Sequence, residues 1–576
     1  MHKQIINRPV ALEQCQFSAG ISPLMARIYS ARGIFNNDAL NKQLTNLLDY
    51  HLLKDIDTAA RLLANGIMQK QRILIVGDFD CDGATSSTLG VLALRAMGAQ
   101  VDYLVPNRFE YGYGLTPAIV HVTHNYQPDI LVTVDNGISS IDGVRAAKAR
   151  GLKVIITDHH LAGQALPEAD AIVNPNQPEC LFPAKNTAGV GIIFYVMCAL
   201  RAELKTRGWF DNRPLPNMAH YLDLVALGTV ADVVSLDQNN RILVFQGLAR
   251  IRAGHCRPGI KALVDIARRD ITRLNASDLG FALGPRLNAA GRLDDMSIGI
   301  ELLLTESANQ ARTLAAELDS LNEERKAIEA SMQREAISAL ESLEFNHHQS
   351  LPWGLCLYKD DWHQGVIGIL AARIKDRLNR PVIAFAEGDN EELKGSARSI
   401  PGLHMRDALD SIATENPGLI SKFGGHAMAA GLSLKAPDLP RFETAFDNKV
   451  RELIDEADLN AKIPTDGTLS AEQITLETAL CIREGEPWGQ HFPEPVFQGQ
   501  FQITQQKLVG QKHLKMVLQV PNEQTWIDAI AFNIDTAQWP NPSVTTIEAV
   551  YKLDINEFQG QQNLQLMVDY LHPVTG

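Results

Sequence analysis

The stretch VGDFDCDGATSS (residues 76–87) begins with the last residue of the apolar run ILIV (73–76) and carries aspartates at positions 78, 80 and 82. Side chains two residues apart on an extended backbone point to the same side of the chain. Three carboxylates on one side repel each other, so something positive should hold them together. The stretch therefore predicts a positively charged partner at the point where a buried strand ends.

Four further runs of strand character follow along the chain: VDYLV (101–105), ILVTV (130–134), KVIIT (153–157) and AIV (171–173). Helix-compatible segments lie between them, and such alternation predicts a parallel sheet with helices on both faces. Sheets of this kind bind their ligands at the carboxyl ends of the strands. Asp135 directly follows ILVTV, and Asp158, His159 and His160 follow KVIIT, so acidic and imidazole groups recur at that edge.

Three interpretations of the aspartate stretch compete. An EF-hand loop needs a glutamate at its twelfth position and a helix before it, whereas here Leu89 and a strand stand there. A phosphatase loop of the haloacid-dehalogenase type, D-x-D-G-T, stays open as an alternative, although its threonine comes one place late and both histidines are left unexplained. A pair of metal ions about 4 Å apart needs a bridging carboxylate and further Asp and His ligands. A single strand-end aspartate is commonly a helix N-cap, but three such strand ends favour the metal pair.

The rest of the chain predicts further domains. Residues 187–300 have a helical pattern, and a polar helical segment over about 306–343 is typical of a helix that links two domains. A second α/β unit starts near residue 352, and five strands without notable helices after about 495 are typical of a small OB-type barrel. The predicted segments are a helical preface (1–65), a catalytic α/β domain (66–300), a connecting helix (301–350), a second α/β domain (351–458) and an OB-like domain (459–576).

Composition sets limits on the class of protein. The chain has 576 residues and a formal net charge of −14, which disfavours non-specific coating of duplex DNA but leaves room for an enzyme with one basic channel. No segment approaches the roughly 20 apolar residues that span a bilayer. Seven scattered cysteines without a C-x-x-C pair argue against disulfides and zinc. The N-terminus lacks an apolar signal core, and we expect a cytoplasmic protein.

The ordered motifs VGDFDCDG, VTVDNGIS, ITDHH and ALGTVADVV resemble those of the DHH phosphoesterase superfamily. Four later stretches, GFALGPRLNAAGRLDD (280–295), WHQGVIGILAARI (362–374), KGSARSI (394–400) and KFGGHAMAAG (422–431), are similar to those of its RecJ branch, the bacterial single-strand-specific 5′→3′ DNA exonucleases. Cys81 and Ala397 depart from that pattern without affecting a metal ligand. The resemblance implies a parallel-sheet DHH domain, a long helix, a DHHA1-like α/β domain and a C-terminal OB-like barrel.

The resemblance also implies a metal site for two Mn²⁺ or Mg²⁺ ions. Asp158 would orient an imidazole, His160 would contact the scissile phosphate, and Asp78 would be a supporting acceptor or an additional ligand. Asp223, nine residues before Asp232, competes with it for the last position. The implied metal ligands, with Asp135 as the bridge, are Asp80, Asp82, Asp135, His159 and Asp232.

Substrate contacts are implied in both α/β domains. Arginine offers planar, bidentate donors to phosphate, and we expect Arg108 and Arg286 to help form a pocket for the DNA 5′ end. Phe109, Tyr111 and Tyr113 are candidates for stacking on bases, with a packed turn as the equal alternative. The remaining implied substrate-binding residues are Asn288, Arg292, Arg373, Arg398 and His426.

The expected function is hydrolysis of single-stranded DNA from the 5′ end to 5′-mononucleotides, in recombination and repair. The expected partners are single-stranded DNA, a single-stranded-DNA-binding protein and a helicase, with no membrane, and the chain is expected to be a monomer. Two alternatives stay open: another phosphoesterase of the superfamily, acting on oligonucleotides, cyclic dinucleotides or pyrophosphate, and a catalytically inactive replication scaffold.

Overall fold

The structure is a computed structural model that describes residues 3–574 apart from 19, 112, 348–350, 389–390, 486, 522, 524 and 559. The side chains of residues 108, 109, 341–347 and 558 also lie outside the description. The chain divides into two compact units. The larger contains residues 5–318 and 464–576, and the smaller contains residues 1–4 and 319–463. The limits of the five segments predicted from the sequence stay predictions.

A five-stranded parallel sheet forms the centre of the larger unit, with strand order β3-β2-β4-β5-β6. Its β-branched strands are buried, because helices cover both faces as expected for an all-parallel sheet. The described chain opens with β1 (Gln4–Asn7), α1 (Pro23–Ser30) and α2 (Ile56–Met68). The sheet and its crossover helices are β2 (Arg72–Val76), α3 (Cys81–Ala96), β3 (Gln100–Leu104), α4 (Arg108–Tyr111), α5 (Pro117–Val122), β4 (Ile130–Val134), α6 (Ile141–Ala149), β5 (Lys153–Thr157) and β6 (Ala171–Val173).

A helical layer follows the sheet. The apolar run at 190–200 lies in the first helix of this layer (Gly189–Thr206), and all of its residues except Cys198 are buried. The helices of this layer are α7 (Gly189–Thr206), α8 (Leu222–Ala231), α9 (Gln238–Arg252), α10 (Pro258–Ile266), α11 (Ala276–Asp278), α12 (Gly284–Leu293) and α13 (Ser297–Leu304). The long helix α14 (Ala308–His347) then runs on into the residues of the smaller unit.

The smaller unit is built on a mixed sheet with strand order β10-β11-β9-β8-β7, in which only β7 and β8 are parallel. Phe385, Phe442 and Phe446 belong to its buried core. Its elements are β7 (Leu355–Tyr358), α15 (Ile367–Leu378), β8 (Val382–Glu387), β9 (Glu392–Arg398), α16 (Met405–Glu415), β10 (Lys422–Gly425), β11 (Ala429–Lys435) and α17 (Leu439–Leu453).

The C-terminal part returns to the larger unit and closes a barrel in the order β13-β14-β15-β17-β16. The last elements are β12 (Lys462–Thr465), α18 (Leu476–Glu484), β13 (Phe497–Val509), β14 (His513–Gln519), β15 (Trp526–Ala531), β16 (Thr546–Phe558) and β17 (Gln561–Pro573). The predicted fold class, a parallel-sheet domain, a second α/β domain and a C-terminal barrel, is confirmed. Within the described part of the chain, no helix combines the length and apolarity that crossing a membrane requires.

Candidate metal centre

The acidic groups predicted to gather at the strand ends lie together in the larger unit. His159 Nε2 lies 3.1 Å from Asp135 Oδ1, 3.5 Å from Asp232 Oδ2 and 3.9 Å from Asp82 Oδ2. Three strand ends and the C-cap of α8 supply these groups. The residues form three sets, and within each set one ligand atom from every residue lies within 4.8 Å of the others. The sets are Asp82 with His159 and Asp232, Asp78 with Asp80 and Asp135, and Asp135 with His159 and His160.

Helix ends hold two of the aspartates in place. Asp80 is the N-cap of α3, and its Oδ1 accepts a hydrogen bond from Gly83 N at 2.9 Å. Asp82 lies in the first turn of α3, and its carboxylate accepts bonds from Gly189 N and Val190 N, at 2.6 and 2.9 Å, where α7 begins. The positive end of the α7 dipole therefore faces Asp82. The N-cap explanation is correct for Asp80, but it does not account for the carboxylates around it.

Asp158 orients the second histidine of the DHH motif. Its Oδ1 lies 2.7 Å from His160 Nδ1 and accepts the His159 backbone N–H at 2.7 Å. Its Oδ2 accepts from Ile138 N at 2.9 Å. Burial alone would lower the pKa of His160, but the bond to Asp158 raises it to about 9. Burial would likewise raise the pKa of Asp158, but its bond to His160 lowers it. The hydrogen bond therefore favours the imidazolium form of His160 and the carboxylate form of Asp158.

Asp82, Asp135 and Asp232 have raised pKa values, whereas that of Asp158 is lowered. Burial, then repulsion from Asp82 and Asp80, raises the pKa of Asp135 and of Asp232 well above the ordinary value. The pKa of Asp82 rises to about 7, through burial and then Asp80. Asp135 Oδ1 and Asp232 Oδ2 are buried and accept no hydrogen bond from the described residues. Crowded carboxylates with unused buried oxygens are the donor set that a divalent cation relieves, so the residues fit a metal.

Asp223 and Asp232 lie at opposite ends of α8 and have different partners. Asp223 is fully buried and forms an ion pair with Arg257, whose Nη1 lies 2.5 Å from Asp223 Oδ1. The backbone N–H of Arg257 donates to Asp223 Oδ2 at 3.0 Å. Asp232 instead faces His159 in the cluster. The geometry therefore favours Asp232 as the candidate ligand and gives Asp223 a structural partner.

Helix α12, which contains the GPRLNAAGR motif, packs against the aspartate loop. Asn288 Oδ1 accepts a hydrogen bond from Cys81 N at 2.8 Å. A Cβ atom on Gly291 would lie 1.7 Å from the carbonyl oxygen of Phe79, so only glycine permits this approach. Asn288, predicted to bind substrate, thus contacts the loop that carries the candidate ligands. Sequence reasoning missed this supporting role of Asn288 and Gly291, although the two glycines of the motif were a signal of close backbone approach.

The predicted phosphate-binding arginines have varied surroundings. Arg286 Nη1 donates to the carbonyl of Ala282 at 2.6 Å. Arg292 lies half-buried in the last turn of α12. The side chain of Arg108 lies outside the described residues.

The smaller unit contains the remaining predicted contacts. Arg373 Nε bonds to Glu329 Oε1 at 2.8 Å. Arg398 donates to the carbonyl of Ala397 at 2.8 Å and to Ser396 Oγ at 3.2 Å. Among the described residues it forms no ion pair with a carboxylate. Burial lowers the pKa of Arg398. His426 lies in the turn between β10 and β11, where its N–H donates to Ala429 O at 2.7 Å. The guanidinium of Arg398 is half-buried and has no carboxylate partner among the described residues, so Arg398 is a candidate contact for an anion.

Comparison with known proteins agrees with this organisation. Three family models match: the N-terminal domain of the DHH family over residues 72–229, the DHHA1 domain over 353–453 and the RecJ OB domain over 465–570. The chain is 52% identical over 578 aligned positions to the single-stranded-DNA-specific exonuclease RecJ of Escherichia coli strain K12, covering 100% of both chains.

Solved structures give the same result. RecJ from Thermus thermophilus in complex with Mn²⁺ matches with a TM-score of 0.81 and 28% identity, covering 100% of this chain and 80% of that chain. The same protein in complex with Mg²⁺ matches with a TM-score of 0.76 and 26% identity, covering 100% and 78%. The resemblance inferred from the motifs is thereby confirmed, and the chain belongs to the RecJ family of single-stranded-DNA-specific exonucleases.

Proposed function

We propose that this chain is a metal-dependent phosphodiesterase that degrades single-stranded DNA from its 5′ end and releases 5′-mononucleotides, in recombination and repair. The observation that carries the proposal is the cluster in which His159 lies within 3.9 Å of carboxylate oxygens of Asp82, Asp135 and Asp232. The 5′ polarity and the mononucleotide product rest on the family. The similarity to the E. coli relative extends over the full length of both chains and supports the same substrate class.

We further propose that the centre binds two ions. Asp82, His159 and Asp232 form one set of donors, and Asp78, Asp80 and Asp135 form a second set that shares no residue with the first. Carboxylates with one imidazole suit Mn²⁺ or Mg²⁺. Asp135 belongs to this second set and also to a set with His159 and His160, which supports it as the ligand that the two ions would share. When bound, the ions would lower the pKa of a water molecule to give hydroxide and offset charge on the phosphate.

The residues around the ions would then handle the phosphate and its charge. His160, protonated through its bond to Asp158, would donate from Nε2 to a phosphate oxygen. Because Asp158 Oδ1 forms a hydrogen bond with His160 Nδ1, Nε2 is the ring nitrogen that remains to face the phosphate. A preformed donor of this kind stabilises the charge that develops on the phosphate oxygens.

Binding of the DNA strand is proposed to involve the predicted arginines and the barrel. Arg286 and Arg292 lie on α12, the helix that packs against the aspartate loop. Arg398, with no carboxylate partner among the residues described, together with Arg373 and His426, is proposed to contact phosphates. Barrels of the OB type commonly guide single strands by stacking and backbone contacts. We also propose that the protein acts as a cytoplasmic monomer with a single-stranded-DNA-binding protein and a helicase.

The proposal is tested by digesting single-stranded DNA labelled at the 5′ or the 3′ end, with Mn²⁺, with Mg²⁺ or with chelator. We expect early release of the 5′ label as a mononucleotide, dependent on metal, and loss of at least roughly 10²-fold in rate for Asp135→Asn. Release of the 3′ label first would overturn the polarity. Cleavage of pyrophosphate or a cyclic dinucleotide with intact DNA would overturn the substrate, and no hydrolysis at all would favour an inactive scaffold.

The ion count is tested separately by elemental analysis of protein dialysed against Mn²⁺. We expect about two ions per wild-type chain. One ion per wild-type chain would contradict the two-ion proposal without affecting the exonuclease proposal. The matched variant Asp223→Asn, whose residue pairs with Arg257 outside the cluster, should retain the wild-type ion count.

A further inference from the structure

An aromatic wall, defined as the rings of Phe79 and Tyr113, borders the candidate metal centre. The two rings meet edge to face with centroids 6.1 Å apart. Tyr113 also meets the His160 ring edge to face, with centroids 5.9 Å apart. Its hydroxyl oxygen lies 3.4 Å from the carbonyl oxygen of Asp135. The hydroxyl end of the tyrosine thus reaches the cluster, while half of the residue, 50%, is exposed to solvent.

The chain that follows Tyr113 is bonded and packed at Leu115. The N–H of Leu115 donates to Ser140 Oγ at 3.1 Å, which ties this segment to the loop that also carries Asp135. Leu115 is 1% exposed. A Cβ atom on Gly143 would lie 1.8 Å from the carbonyl oxygen of Leu115, so α6 packs directly on the backbone there. The segment just after Tyr113 is therefore packed against α6 and the loop that carries Asp135.

A nucleotide bound at this centre would place its phosphate beside His160, within reach of the Tyr113 hydroxyl, which lies 3.4 Å from the imidazole nitrogens. The sugar is the next group along the nucleotide, and it would extend outward beside the exposed ring. The base lies farther from the phosphate than the sugar does. The ring is therefore better placed to pack against the sugar than to stack on the base.

We propose that Tyr113, supported by Phe79, packs against the sugar of the nucleotide at the metal centre and excludes a 2′-hydroxyl, so that it selects DNA over RNA. The inference rests on the proposed function, because it assumes that a phosphodiester is bound at this cluster. The 2′-hydroxyl is the group by which a protein tells RNA from DNA at a given site. The relatives are named single-stranded-DNA-specific exonucleases, and a group near the reacting phosphate that excludes a 2′-hydroxyl would suit that substrate.

The test compares three oligonucleotides of one sequence: all DNA, DNA with a single ribonucleotide at the 5′ end, and all RNA. Rates are measured for the wild type, Tyr113→Phe, Tyr113→Leu and Tyr113→Ala. We expect Tyr113→Phe to keep the wild-type preference for DNA, because the ring remains. Tyr113→Ala should reduce the ratio of DNA rate to single-ribonucleotide rate by about tenfold or more, since a steric contact of this size is removed. Tyr113→Leu should give an intermediate ratio.

Tyr103→Phe is the matched control, because the Tyr103 hydroxyl bonds to Glu301 and not to the metal cluster. It should leave both rates unchanged. Competition by dCMP and by CMP gives a readout that does not need turnover: wild type should bind dCMP more tightly, and Tyr113→Ala should bind the two alike. An unchanged DNA-to-ribonucleotide ratio in Tyr113→Ala would overturn the inference. A wild type that leaves DNA intact would instead overturn the proposed function.

Discussion

Gly291 lies where α12 touches the aspartate loop, and any side chain there would collide with the carbonyl of Phe79. We predict that Gly291→Ala lowers the free energy of unfolding by about 1–3 kcal/mol, the usual range for overpacking. It should also weaken Mn²⁺ binding, because the loop that holds Asp80 and Asp82 would move. Thermal unfolding and calorimetric titration with Mn²⁺ measure the two effects.

Gly163→Ala is the control for this prediction. Its nearest neighbour would be the carbonyl oxygen of Ala165, 3.9 Å from the added Cβ, so the substitution meets ordinary contact distances. The control should match the wild type in stability and in Mn²⁺ affinity. Wild-type Mn²⁺ affinity in Gly291→Ala would show that the contact between α12 and the loop has no part in metal binding.

The buried carboxyl of Asp82 makes metal-free stability depend on pH. Its folded pKa of about 7 lies above the ordinary value of 3.8, through burial and then the neighbouring Asp80. The protonated group therefore favours folding, fully so below pH 3.8, and this contribution is lost as pH rises through about 7. In chelator, the free energy of unfolding of the wild type should fall relative to that of Asp82→Asn between pH 4 and pH 7.

Denaturant unfolding of both proteins at several pH values checks this prediction. Saturating Mn²⁺ should remove the loss for the wild type, because a metal stabilises the ionised carboxylates. A constant difference between wild type and Asp82→Asn over this pH range would contradict the electrostatic account of the cluster.

Some residues of the candidate site could be predicted from sequence, and others could not. The alternate spacing of Asp78, Asp80 and Asp82 after an apolar run, and acidic residues after two more runs, pointed to one edge of a parallel sheet. The family resemblance favoured Asp232 over Asp223, but the residues alone could not separate the two, because the difference depends on Arg257, which becomes a neighbour of Asp223 only through folding. The hydrogen bond from Cys81 to Asn288 spans 207 positions and has no local signal.

At the scale of elements, the two ends of α8 have different roles: one carries a buried ion pair and the other a candidate metal ligand. Its N-terminal end holds the buried ion pair of Asp223 with Arg257, whose side chains are 1% and 14% exposed. Removing one partner of a buried pair leaves an uncompensated charge, which costs about 3–5 kcal/mol. We predict that Asp223→Ala destabilises the fold by this amount. The double variant Asp223→Leu with Arg257→Met should recover most of the loss, because it removes both charges.

Denaturant unfolding of the single and double variants measures the coupling. The double variant tests whether the pair acts only through stability, since its DNA cleavage should approach that of the wild type. A double variant as unstable as Asp223→Ala would argue against the ion pair as the source of the effect.

Elements with strong local patterns were predictable from sequence. The runs ILIV, ILVTV and KVIIT became the buried strands β2, β4 and β5 because β-branched residues suit a sheet covered on both faces. The polar segment predicted over about 306–343 became α14, Ala308–His347. The strand order and the parallel contact of β15 with β17 inside the barrel depend on long-range packing, which short patterns do not encode.

At the scale of the whole larger unit, a buried ion pair fastens the N-terminal segment to the segment that leads into the barrel. Arg32 Nη1 lies 2.7 Å from Asp466 Oδ1, with side chains 1% and 0% exposed. Arg32 Nε also donates to the carbonyl of Pro493 at 2.7 Å. We predict that Arg32→Ala destabilises this unit by about 3–5 kcal/mol. Limited proteolysis should then cut the chain faster on either side of residue 466.

Lys54→Ala is the control, because its partner Glu179 is 85% exposed and ion pairs with solvent-exposed groups contribute little. It should show wild-type stability and wild-type proteolysis. An Arg32→Ala protein with an unchanged melting temperature would mean that packing between the segments, and not this pair, holds them together.

We propose that Asp82, Asp135, His159 and Asp232 form the metal centre that cleaves single-stranded DNA. The most direct test measures Mn²⁺ binding by calorimetry and release of a 5′ label from single-stranded DNA, on the same preparations of Asp232→Asn and Asp223→Asn. Asp232→Asn should lose cleavage and bind Mn²⁺ at least about tenfold more weakly. Asp223→Asn should keep both, since its amide can still accept from Arg257. Wild-type cleavage by Asp232→Asn, or loss of metal by folded Asp223→Asn alone, would contradict the account.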